Sequence, residues 1–126
     1  MSITVYNRTS EDHSASPNNY RIFRGGSILG NPFTHKELGK TKAIFHVNNR
    51  DEAIERYSIY FDQQYAHNKE FKAMVDEIYD KYKSGEEIYL ECYCAPLPCH
   101  GDIIAEKLQQ RLLREKIMEI KKREDA

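Results

Sequence analysis

Cys92, Cys94, Cys99, His100 and Asp102 crowd one short segment, Cys92-Tyr93-Cys94-Ala95-Pro96-Leu97-Pro98-Cys99-His100-Gly101-Asp102. Three kinds of chemistry fit these residue types. The first is anion binding. A strand that turns into a helix leaves unpaired N–H groups and a partial positive charge at the helix start, which together cradle a phosphate. Gly101 lets a ligand approach the backbone, His100 supplies a donor or proton carrier near neutral pH, and Asp102 can accept from a ribose hydroxyl. The competing reading makes Asp102 a helix-start residue and His100 a surface residue.

The second is metal ligation by Cys92, Cys94, Cys99 and His100. Cys92 and Cys94 face the same side of a strand, which is workable. Cys99 and His100 are adjacent at a helix start and diverge by about 100°, and paired Cys-x-x-Cys knuckles are absent. Otherwise Cys92 and Cys94 are small buried packing residues. The third is nucleophilic chemistry. Cys99 at a helix N-terminus is expected to have a lowered pKa, with His100 beside it as a base. Adjacent side chains point apart, so packing or capping competes with catalysis.

A second group lies upstream. In Gly30-Asn31-Pro32-Phe33 the Asn tolerates left-handed backbone and the Pro rigidifies the turn. Phe33 is either core or a stacking surface for a base. Arg24, before Gly25-Gly26, can reach a phosphate with both guanidinium nitrogens or lie solvated at a strand end. His13, His35, His46 and His67 sit in polar surroundings and are expected to be exposed.

These groups need elements to hold them. Ile3-Thr4-Val5-Tyr6 and Tyr20-Arg21-Ile22-Phe23 read as short strands, with a polar loop between. Asn49 followed by Glu52 forms a capping box, and Ile54, Tyr57, Phe61 and Tyr65 recur at helical spacing. Asn68 caps a second helix with the stripe Phe71, Met74, Val75, Ile78 and Tyr82, stopped at Ser84-Gly85. Ile88 to Cys94 is nearly continuous in β-formers, as in a central strand covered on both faces. The prolines 96 and 98 force a tight connection. A helix then runs from about Cys99 to about Lys122, with Ile104, Leu108 and Leu112 on one stripe, and Lys121 to Ala126 is expected to fray. The order β, β, α, α, β, α predicts a small layered α/β domain with a central parallel sheet and a long C-terminal helix.

The 126 residues fit one domain, 1–126, large enough for a real core. No run of 18 apolar residues suggests a membrane span, and no secretory signal is visible. Three cysteines, an odd number without a secretion signal, argue for reduced thiols and a cytoplasmic chain. The net charge is −1, with no segregated basic face, so binding to DNA or RNA is not expected. Lys121-Lys122-Arg123 is offset by Glu119, Glu124 and Asp125 and reads as a solvated helix end.

The chain resembles the DUF4326 family, small proteins of phages and bacteria, through Val5-Tyr6-Asn7-Arg8, Arg24, Gly30-Asn31-Pro32-Phe33, Ala53-Ile54-Glu55-Arg56-Tyr57 and the Cys92–Asp102 signature. The likeness spans about Ile3 to Gln110. It implies a Rossmann-like fold and kinship with families that handle nucleotides and N-glycosidic bonds, and for a phage-encoded chain the host cytoplasm. Thr34 to Asn49 is longer and more polar than in typical members, and the last helix continues as an extension over about 111–126. Its stripe Leu112, Leu113, Ile117 and Ile120 needs burial, which a second copy of the chain would supply.

The expected function is binding of a small nucleotide-derived ligand at the elbow by Cys99, His100, Gly101 and Asp102, with Arg24, Asn31 and Phe33 as the opposite wall. Such a protein would sequester a signalling nucleotide. The alternatives are an N-glycosidic hydrolase or transferase, with His100, Asp102 or Cys99 as catalytic candidates and a nearby carboxylate assisting, and a zinc-stabilised structural or interaction protein. No cofactor is expected.

Overall fold

The computed structural model describes residues 2–34, 45–93, 97 and 99–124. The element order is β1 (Ile3–Asn7), β2 (Asn19–Arg21), β3 (Phe33–Thr34), β4 (Phe45–His46), α1 (Arg50–His67), α2 (Lys69–Lys83), β5 (Ile88–Cys92) and α3 (His100–Glu124). The main sheet is three-stranded and parallel, ordered β1-β5-β2. The strand richest in β-formers is therefore the central one, and both of its pairings are parallel, as expected. The fold is mixed α/β with a long C-terminal helix. The pair β3 and β4 adds two-residue strands that are too short to leave a periodic signal.

Strand limits differ slightly from the sequence reading. The second strand ends at Arg21, although the Ile22 N–H still bonds to the Glu91 carbonyl (3.0 Å). The chain then turns through Gly25, whose φ of 81° suits glycine. The central strand ends at Cys92, where the carbonyl accepts from the Arg8 N–H (2.9 Å). Cys94, His35 and the prolines at 96 and 98 lie outside the described residues.

The helices begin where the caps place them. Asn49 Oδ1 accepts from the Glu52 N–H (2.8 Å), and Glu52 Oε2 reaches back to the Asn48 N–H (3.3 Å). Asn68 Oδ1 accepts from Glu70 and Phe71 (3.1 and 3.2 Å), so one residue separates two helices. Gly85, at φ 96°, closes α2. The last helix does not fray at Lys121: it remains helical to Glu124, helped by the Arg123–Glu119 pair one turn apart (3.6 Å).

Alternation along β5 sorts its residues onto two faces. Ile88, Leu90 and Cys92 enter one core cluster with Tyr57 and Phe61 of α1, Phe71, Val75 and Ile78 of α2, and Ile104, Leu108 and Leu112 of α3. The other face carries Tyr89 and Glu91. The connection between β1 and β2 covers it: the His13 ring stacks on Tyr89 at 4.1 Å and meets Tyr6 edge-on at 4.8 Å. Thus the central strand is covered on both faces, by helices on one and by a loop on the other. His13 is half-buried by this stacking, whereas His46 and His67 are exposed.

Leu112 belongs to the core and not to an exposed stripe. Leu113, Ile117 and Ile120 point to solvent.

Candidate functional site

Among the described residues at the elbow, Cys99, His100 and Asp102 have polar groups bonded within the fold. Cys99 opens α3: its carbonyl accepts from the Asp102 N–H (3.1 Å), and its own N–H donates to Asp102 Oδ2 (3.1 Å). Asp102 is therefore a capping residue at the helix start. Gly101 is buried where α3 crosses the sheet. A Cβ there would lie 2.7 Å from Ile22 Cδ1 and 2.8 Å from Val5 Cγ1, so any other residue would force these side chains to shift.

His100 is not at the surface. Its Nε2 lies 2.5 Å from the Ile22 carbonyl, which can only accept, so the nitrogen carries the proton. The ring also meets the Tyr57 ring edge-on at 4.9 Å. Burial pushes its pKa down to about 4, reinforced by Arg24 and opposed by the bond to Ile22. At neutral pH this histidine is an uncharged structural donor.

Cys99 departs from the expected reactive thiol. Its Sγ lies 3.8 Å from Cys92 Sγ, both cysteines are buried, and the thiol contact and burial push its pKa up, outweighing the helix start. Among the described residues no group of three or more His, Cys, Asp and Glu side chains could hold a metal ion.

The opposite wall is also bonded internally. Arg24 donates to the carbonyls of Asn31 and Phe33 (3.0 Å each). Asn31, buried, donates from Nδ2 to the Ala53 carbonyl (3.2 Å) and accepts at Oδ1 from the Phe33 N–H (2.9 Å). Phe33 stacks with Phe45 at 5.2 Å. The fold does bring this loop beside the elbow: Tyr57 donates to the Leu29 carbonyl (2.7 Å) and meets the His100 ring edge-on.

A different constellation stands on the loop-covered face. Tyr6, Glu91 and Arg21 are register partners across the three strands, so in a parallel sheet they form one row on one face. Glu91 is only 4% exposed. Its Oε1 accepts from Tyr6 Oη (2.9 Å) and Asn19 Nδ2 (3.2 Å). Tyr6 Oη also contacts Asn19 Oδ1, so its single proton serves one acceptor at a time. Burial, and then the bond and charge of Glu91, push the Tyr6 pKa to about 12, which keeps the hydroxyl protonated.

The second oxygen, Oε2, is buried and has no hydrogen-bond partner among the described residues. The Nε atoms of Arg8 and Arg21 approach it to 3.7 and 3.8 Å, as ion pairs without a hydrogen bond, from side chains that are themselves exposed. Arg8 also lies over the rings of Phe23 and Tyr93, at 5.2 and 5.4 Å. A buried carboxylate with one oxygen anchored and one unbonded under two guanidiniums can act as a nucleophile or a general base.

The model for the domain of unknown function DUF4326 matches residues 5–110. The chain belongs to the DUF4326 family. No curated protein and no solved structure matches it. The DUF4326 region holds Tyr6, Arg8, Asn19, Arg21 and Glu91, and it ends before the exposed part of α3.

The sequence reading missed Glu91 and its neighbours. One signal was available: a carboxylate inside Ile88-Tyr89-Leu90-Glu91-Cys92, a run expected to be covered on both faces. A charged residue in such a strand needs partners.

Proposed function

We propose that this protein cleaves or transfers the N-glycosidic bond of a small nucleotide-derived substrate, with Glu91 as the acting carboxylate. The observation that carries the reading is the unbonded Oε2 of a buried glutamate beside the carboxyl end of the central parallel strand, the region of open α/β sheets where ligands bind. The kinship with families that handle N-glycosidic bonds, which the sequence resemblance implies, agrees with it.

In this mechanism the exposed Arg8 and Arg21 side chains, which cover Oε2, swing onto the substrate's anionic group. Glu91 Oε2 then attacks the sugar C1′ as the C1′–N bond breaks, and the base departs with the electron pair and takes a proton from solvent water. The glycosyl–Glu91 ester is then opened by water, which returns the carboxylate and gives the free sugar, or by a second base, which gives transfer. Tyr6 and Asn19 hold Oε1 and so aim Oε2. Arg8 and Arg21 face a phosphate or another anionic substituent, and Tyr93 and Phe23 offer ring faces to the base. His100 and Asp102 act as structural groups in this scheme.

The test is incubation with nucleosides, nucleoside monophosphates and NAD, followed by chromatography for free base. The expected result is base release by the wild type, reduced by roughly three orders of magnitude or more in Glu91→Gln. A second reading, binding without turnover, draws on the cluster of exposed Arg8 and Tyr93 with half-buried Phe23. A thermal shift with unchanged ligand selects it. No release and no shift at millimolar concentration from any compound rejects both.

A further inference from the structure

Helix α3 carries two apolar faces. Ile104, Leu108 and Leu112 enter the core. Leu113, Ile117 and Ile120 are 59%, 51% and 53% exposed and, on a helix turning about 100° per residue, fall within about 60° of one another on the opposite half. Their spacing, four then three, is that of coiled-coil seam positions. Gln110 and Glu124 occupy the next seam positions and bound the stripe. The positions that flank a seam are Arg114, Lys116, Lys121 and Arg123, all cationic. Among the described residues Arg123 pairs with Glu119, in an exposed contact that a partner carboxylate can replace, and no ion pair joins the other three to an acid.

We propose that Leu113, Ile117 and Ile120 form a docking seam for an acidic amphipathic helix of a partner protein. The charges select this occupant. A second copy of the chain would set cationic flanks against cationic flanks in either orientation, which opposes pairing. A bilayer calls for a broad apolar face, whereas this stripe is narrow and closely bordered by Arg114 and Lys121. A helix with apolar seam residues and glutamates beside them matches both the stripe and its flanks. The seam lies beyond the matched family region, so it adds a partner without touching the Glu91 row.

The experiment uses the full chain and two synthetic helical peptides of about three heptads, each with leucine at the seam positions and either glutamate or lysine on the flanks. Calorimetry is expected to show the glutamate peptide binding at least about tenfold more tightly, with the gap narrowing at high salt. Ile117→Ser/Ile120→Ser abolishes binding while the melting temperature stays unchanged, and Arg114→Glu/Lys121→Glu shifts preference toward the lysine peptide. Equal binding of both peptides, or none, overturns the proposal. So does sedimentation showing a dimer that Ile117→Ser dissociates, or binding to phosphatidylserine vesicles in preference to the glutamate peptide.

Discussion

Tyr6 and Glu91 are register partners on adjacent parallel strands, and their side chains meet at 2.9 Å between Oη and Oε1. Glu91 has few other anchors: Asn19 on the same oxygen and two guanidiniums at ion-pair distance from the other.

Tyr6→Phe removes that donor from a buried carboxylate. The expected cost is about 1–3 kcal/mol in chemical denaturation. On the proposed mechanism base release is also expected to fall, because Oε2 would no longer be aimed, while Arg8→Ala, at an exposed position, is expected to affect activity more than stability. Equal stability of Tyr6→Phe and wild type would contradict the anchoring role.

Gly101→Ala places a methyl group against Ile22 and Val5. Overpacking of this kind costs about 1–3 kcal/mol, partly offset by alanine's better helix propensity. The variant should melt below the wild type. A variant at least as stable would show that α3 does not need its close approach to the sheet.

His100 makes stability depend on pH. Its folded pKa is lowered from 6.5 to about 4, so between those values the unfolded chain binds a proton that the folded chain does not. Stability is full above about pH 6.5, falls as the pH drops to about 4, and levels off below, a loss of roughly 3 kcal/mol. Asp76 acts at lower pH: against the push of burial, bonds from Lys72, Tyr65 and Arg111 hold it near 2, so its contribution is lost below 3.8. His100→Gln, measured by denaturation from pH 7 to 4.5, should flatten the upper window. An unchanged slope would place the proton elsewhere.

Cys99 should resist alkylation. Burial beside Cys92 and the raised pKa leave little accessible thiolate. At neutral pH the rate with iodoacetamide, followed by peptide mass spectrometry, is expected below about a tenth of that for an exposed thiol, and denaturant should restore it. Rapid labelling in the folded state would revive the nucleophile reading.

Much of the architecture was legible because its signals are local. Asn49 and Asn68 sit beside the N–H groups they bond, Gly85 closes its own helix, and β5 announces its central place by composition. The chemistry at the elbow was less legible. A strand-to-helix turn suggests an open cradle, but the backbone groups of Cys99 are paired with Asp102, and His100 is taken by a carbonyl 78 positions away.

The sequence by itself determined the element order, the helix caps and the central strand, since hydrophobic period and short-range hydrogen bonds depend on near neighbours. Tertiary structure alone decided what Glu91 and α3 present. Register brings Tyr6 and Asn19, 85 and 72 positions away, onto one carboxylate, and packing buries Leu112 while leaving Leu113 in solvent. Burial and partner choice depend on which distant elements share a face, and a linear pattern does not encode that until the sheet closes.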